Sequence, residues 1–236
     1  MEKAPDPFSL TRRHIPGRVR DVIPLLMLLL SGALAAQSLD VSKLELVNSK
    51  ADAVSYQGKK AIRLTQADQK ANQDLDMSIA ILKGLKFRNG EIELDLAGEP
   101  GASAAAAARG FVGVAFRVQE ARRFECIYLR PTNGRADDQV RRNHSIQYES
   151  IPDFPWFRLR KESPEKYESY VDLQPAVWTH YRLVVNDTKA RLYVNGAAQP
   201  SLLVDDLKLG AAEGGVALWI GPGTVAHFAN VAIKGE

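Results

Sequence analysis

Apolar and polar residues alternate with period two along most of the chain beyond residue 40, and long stretches of helical period are absent there. Strict alternation marks half-buried strands. In "GFVGVAFRVQ" (110–119), Val112, Val114 and Phe116 fall on one face and Gly113, Ala115 and Arg117 on the other. "FRNGEIELDLAG" (87–98) puts Ile92, Leu94 and Leu96 on one side, and "GGVALWIGPGTVAHFANVAI" (214–233) supplies two closing strands. Tight-turn residues punctuate these runs at Gln57-Gly58, Asn89-Gly90 and Asn195-Gly196. Short strands with such turns predict an all-β antiparallel sandwich or barrel. Two stretches break the rhythm. "GASAAAAARG" (101–110) reads as a loose loop, and 149–177, with four prolines and five aromatics, reads as a long ordered segment packed on the body.

The first 36 residues change the picture. Four arginines precede "VIPLLMLLLSGALAA" (22–36), which is too short for a membrane span and ends in small residues suited to cleavage. Residues 1–36 are expected to be a secretory signal and 37–236 a single domain, secreted or periplasmic, with no membrane span once the signal is removed. The chain holds 31 Lys and Arg against 28 Asp and Glu, and the leader takes five of the former and three of the latter. The body is therefore near neutral, which argues against nucleic acid as a partner. The single cysteine, Cys126, forms no internal disulfide and sits in an apolar run, as a small buried hydrophobe would.

Residues 178–196, "WTHYRLVVNDTKARLYVNG", carry a leading Trp, an R-L-x-V strand and a hairpin ending in V-N-G. A closing G-x-V-x-L … F-x-N-V-x-I pattern follows at 214–233, and "YQGKKAIRL" and "FRNGEIELDL" fit opening strands. On these motifs the chain resembles the concanavalin A-like lectin/glucanase superfamily, closest to laminin-G-like domains and 3-keto-disaccharide hydrolase-like domains. The resemblance implies a jelly roll of two curved antiparallel sheets with a ligand on the concave face and its loops. It implies three functions: carbohydrate binding, glycoside hydrolysis (3-keto-disaccharide or family 16-like), or a laminin-G-like protein-interaction module.

Strand faces nominate the site. With Val112, Val114 and Phe116 facing the core, Arg117 projects from the outer face; with Val216, Leu218 and Ile220 inward, Trp219 does the same. Arg117, Gln147 and Trp219 are expected to share a concave patch with Arg130 or Glu125, and Tyr128, Asn133 and Arg135 to extend it as substrate-binding groups. Indole faces cover apolar sugar faces, and guanidinium and amide groups take hydroxyls or carboxylates. Between 124 and 130 neither face is cleanly polar, so which side meets ligand stays open. Glu125, whose apolar neighbours would raise its pKa, and His144 are the catalytic candidates. Glu91, Glu93 and Asp95 superficially resemble the acidic strand of family 16 enzymes, but Ala97 stands where a third acid belongs, and a solvated face is the better reading. The loop with Arg130, Arg135, Arg141 and Arg142 gives a positive rim, so the carbohydrate could be anionic. No spacing suggests a cofactor or a metal centre; structural calcium of the kind some relatives hold would draw on Asp187, Asp205 or Asp206.

Overall fold

The structure is a computed structural model that describes residues 39–67, 78–120 and 123–235. The expected signal at 1–36 lies outside the described residues. Fourteen strands are described: β1 (Leu44–Val47), β2 (Ser49–Tyr56), β3 (Lys59–Gln66), β4 (Ser78–Leu82), β5 (Gly90–Pro100), β6 (Val112–Glu120) and β7 (Arg123–Leu129). Then come β8 (Ile146–Ile151), β9 (Glu168–Ser169), β10 (Thr179–Asn186), β11 (Lys189–Val194), β12 (Leu202–Val204), β13 (Gly215–Ile220) and β14 (Thr224–Gly235). Two short helices, α1 (Gln139–Asn143) and α2 (Trp156–Glu162), flank β8. Among the described residues, no helix is long and apolar enough to cross a membrane.

The strands form two seven-stranded antiparallel sheets. The first runs β1-β4-β13-β6-β7-β8-β9 and the second β12-β11-β10-β5-β14-β3-β2. The all-β sandwich expected from alternation is what forms. Gln57 and Gly58 both take positive φ (44° and 79°), the geometry that lets a two-residue loop follow strand twist between β2 and β3. Asn89-Gly90 is not a hairpin turn: Gly90 begins β5, and the Asn89 Oδ1 instead accepts the Asp187 N–H at 2.8 Å. Gly221-Pro222-Gly223 carries the chain from one sheet to the other, so β13 and β14 do not pair.

The core fills the space between the sheets. Val112, Val114, Phe116, Ile127, Val216 and Leu218 of the first sheet meet Ile92, Leu94, Leu96, Tyr181, Leu183 and Phe228 of the second. Inward faces of opposed sheets interdigitate in this way because each strand exposes every second side chain to the same layer. Polar ties join the layers: the buried Ser49 hydroxyl on β2 donates to the Ile79 carbonyl on β4 at 2.8 Å. The buried Tyr181 hydroxyl on β10 donates to the Ile127 carbonyl on β7 at 3.0 Å, joining the two layers.

The first sheet departs from simple sandwich logic on its other side. Ile79, Ala115, Val118, Phe124, Cys126, Tyr128, Ile151, Ala217 and Trp219 form a second buried cluster on its outer face. A sheet buried on both faces cannot read as a clean polar alternation, which is why the face of 124–130 stays ambiguous in sequence.

Tyr181→Phe deletes the hydroxyl that joins β10 to β7 while keeping the ring. Urea unfolding is expected to show a loss of about 1–2 kcal/mol with an unchanged m-value, because the Ile127 carbonyl is left without that donor.

Candidate functional site on the outer face of the first sheet

Strand register lines up one row across the whole first sheet. Val47, Ile79, Trp219, Gly113, Tyr128, Gln147 and Glu168 stand opposite one another in successive pairs. Beside it runs a second row of Ile81, Ala217, Ala115, Cys126 and Glu149. Both rows are apolar at the β4 and β13 end and polar at the β8 and β9 end.

Gly113 makes the middle of the row possible. A Cβ there would lie 2.6 Å from the Tyr128 Cα and Cβ and 2.4 Å from the Ile127 carbonyl oxygen. Without that Cβ, Tyr128 lies across the strand and stacks on Trp219, ring centroids 4.6 Å apart at 28°. Phe111 meets Tyr128 edge-on at 6.1 Å. The Trp219 indole N–H is buried and has no hydrogen-bond acceptor among the described residues. A buried donor left unpaired is unusual in a folded chain and calls for an explanation.

The polar end is organised by Arg130, at the end of β7. Its Nη2 donates to the Tyr128 hydroxyl at 3.0 Å and to the Gln147 Oε1 at 3.1 Å, and its Nη1 donates to the His144 carbonyl at 3.1 Å. The same Nη1 lies 3.5 Å from Glu168, which Arg160 of α2 also clamps with both sides of its guanidinium. Arg130 and Arg160 both sit over the ring of half-buried Trp156, at 5.8 and 4.8 Å. His144 reaches the same carboxylate, Nε2 to Glu168 Oε2 at 3.4 Å, and burial lowers its pKa despite that neighbour. Asn133 donates to the His144 carbonyl at 3.1 Å and leaves its own side-chain oxygen without a partner.

Glu149 is the odd member. It is buried on the same face as Gln147, and its Oε2 accepts the Trp156 backbone N–H at 3.2 Å. Burial pushes its pKa up to about 7, against the opposing pull of the Trp156 N–H and Arg130. The carboxyl is therefore a mixture of acid and anion at neutral pH.

Tyr128, Arg130, Gln147, Trp219 and His144 thus meet on one face, with Asn133 at its margin. Arg135 stands apart on the surface, paired with Asp172 by two bonds of 2.7 and 2.8 Å. Two expected members do not join. Arg117 was placed on the outer face by parity, but β6 carries an irregularity where Arg117 takes φ 53°, and the pairing with β7 shifts between Phe116 and Glu120. Val118 consequently joins the outer cluster, and Arg117 is fully buried elsewhere, donating to the carbonyls of Arg88 (3.0 and 2.8 Å), Asp187 (2.6 Å) and Gly210. Glu125 is on the core side of β7. It accepts the Tyr148 hydroxyl at 2.5 Å and the Leu209 N–H at 2.6 Å and is sealed from water. The pair fastens the loops at 88, 187 and 209–210 to the sheet and is remote from any ligand on the opposite face.

Sequence reasoning missed Glu149, Trp156, Arg160 and Glu168, all inside the 149–177 segment. Extending the alternation of β8 by one step past Gln147 would have found Glu149. The other acids expected to be solvated lie on the outer face of the second sheet and meet bases there: Glu91 with Arg182, Glu93 with His180, Asp95 with Lys59 and His180. Asp205 pairs with Arg191, and Asp206 with Lys166 and Lys208. Burial alone would raise the Asp206 pKa, but hydrogen bonds from Lys166, Lys208 and Tyr167 bring it down to about 2. Among the described residues, no group of three or more metal-ligating side chains converges.

No protein-family model matches this chain, and no curated protein matches it. Solved structures do. A Bacillus subtilis protein of unknown function with a galectin-like fold superposes with a TM-score of 0.52, at 11% identity over 85% of this chain and 93% of that one. The fold is galectin-like. The carbohydrate-binding module CBM66 from Bacillus subtilis gives 0.49 at 10% identity, over 80% of this chain and 97% of that one. The carbohydrate recognition domain of Emp47p gives 0.45 at 12%, over 84% and 100%. At these identities the likeness is one of architecture: a lectin-like β-sandwich.

Glu149→Gln keeps an acceptor for the Trp156 N–H but cannot ionise. A folded-state pKa near 7 against an ordinary 4.5 means the folded protein binds more protons between those values, so the wild type loses stability there as pH rises. Denaturant titrations should show the variant gaining on the wild type by roughly 3 kcal/mol between pH 4.5 and 8. A difference independent of pH would return Glu149 to the ordinary carboxylate range.

Proposed function

We propose that this chain is an exported carbohydrate-binding domain that holds a saccharide on the outer face of its first sheet. The observation that carries the reading is the row from Trp219 to Glu168. It joins a stacked indole and phenol to an amide, a guanidinium and carboxyl groups, within one face. A pyranose has the matching character, with apolar C–H faces and a girdle of hydroxyls.

Hydrolysis is the second reading, and Glu149 favours it. A buried carboxyl poised near neutrality on the ligand face is suited to protonate a leaving oxygen. Glu168, in the adjacent row, is then a second carboxyl, tied down by Arg130, Arg160 and His144.

A glycan array probed with the protein, followed by product analysis on each glycan bound, tests both readings. Trp219→Phe retains an aromatic ring beside Tyr128 but removes the N–H, which has no protein partner to lose. Affinity for the bound glycan should fall about fivefold to tenfold, and because the indole is buried the smaller ring should also lower the denaturation midpoint. Absence of binding to any glycan sinks the proposal. Turnover abolished by Glu149→Gln, with binding retained, establishes the second reading.

A further inference from the structure

The rim of the polar end carries guanidinium groups outside any ion pair among the described residues, the nearest carboxylate influence being that of Asp172 on Arg142. Arg63, Arg135, Arg158, Arg182 and Arg191, elsewhere on the surface, each meet an acid. Arg109, Arg141 and Arg142 form no ion pair among the described residues. Arg109 precedes β6 and is tied to the loop after β7, where the Thr132 N–H donates to its carbonyl at 3.3 Å. Its Nη1 donates to the carbonyls of Ala106 and Ala108 at 2.7 and 2.9 Å. Arg141 lies on α1, positioned by a bond of 2.8 Å from its N–H to the Asp138 side chain. Arg142, next along the helix, covers the exposed Tyr170 ring at 5.5 Å.

The bond from the Thr132 N–H to the Arg109 carbonyl sets Arg109 beside the loop that leads from Arg130 into α1. After burial, the charges of Arg141 and Arg130 lower the Arg109 pKa. Arg160 and Arg130 act in the same way on His144. The tightly held carboxylate here, Glu168, is shared by two of the arginines. Asp138 is used to cap α1, and Asp137 is exposed on the same loop. Like charges assembled at the edge of a ligand face repel one another at a cost that a bound anion would remove.

We infer that the site takes an anionic glycan, one whose carboxylate or sulfate groups sit at the rim formed by Arg109, Arg141 and Arg142 while its rings lie along the row. This rests on the saccharide reading above and narrows its ligand class. Guanidiniums suit either anion, because their fork of N–H groups matches two oxygens at once.

The test uses the full chain and calorimetric titration with oligomers of galacturonate, glucuronate and mannuronate, their carboxyl-reduced neutral counterparts, and sulfated galactan oligomers. An acidic oligomer should bind about tenfold more tightly than its neutral counterpart at low salt, with the ratio falling toward one near about 0.5 M NaCl. Arg141→Gln and Arg142→Gln should each reduce that ratio by roughly threefold. Arg182→Gln, on the opposite sheet, should leave it unchanged. Preference for the carboxylated or the sulfated series, with the same arginine dependence, identifies the anion. Neutral oligomers binding as well as acidic ones would overturn the inference while leaving the saccharide reading intact. An equal loss in Arg182→Gln would overturn it in favour of unspecific attraction, and no binding in any arm would overturn both.

Discussion

A guanidinium withdrawn from water must be met by acceptors, and Arg130 is met from every side. Its bonds reach Tyr128 on its own strand, Gln147 on β8, Glu168 on β9 and the backbone at His144. Those four partners come from three strands and a loop, so the polar end of the first sheet is fixed in one arrangement by a single side chain. Removing one partner of such a set leaves the others buried and unpaired, which costs far more than the set contributes. The fixed geometry of that end follows from that penalty. β9, two residues long, is anchored less by its ladder than by Glu168 between Arg130 and Arg160.

The other end of the same face is built by packing rather than by charge. Gly113 removes the bulk that would keep Tyr128 upright, and Trp219 takes the ring that leans over. Apolar stacking and a charged network therefore share one layer on the sheet, with Gln147, Tyr128, Trp219 and Arg130 all buried in it. On the saccharide reading, such a gradient would orient an amphipathic ligand, because turning the ligand end for end would place hydroxyls on indole and C–H groups on carboxyls.

Alternation made much of this readable. Val112, Val114 and Phe116 point inward, as do Val216, Leu218 and Ile220, and so Trp219 faces out with Tyr128 and Gln147. Parity fails at Arg117 because a non-glycine residue at positive φ inserts an irregularity, and every later side chain on that strand changes sides. Nothing in the local composition marks it. Glu125 is misread for a different reason: both faces of β7 are buried, so a carboxyl there is as compatible with the core as with a site. The residues supplied by α2 and β9 were hidden because they reach the face by tertiary folding of a proline-rich segment, which carries no strand period to extrapolate.

Cys126 lies in the middle of the second row, under the ligand face and beside Glu149. Burial, reinforced by the neighbouring carboxyls, holds its thiol far above its usual ionisation range, so the reactive thiolate scarcely exists in the native state. Oxidants and alkylating reagents can then reach the sulfur only when the packing over the outer face of the first sheet opens. The chain's single thiol thereby doubles as an internal clock of opening: its rate of chemical labelling reports how often this face separates, without any probe having to be introduced.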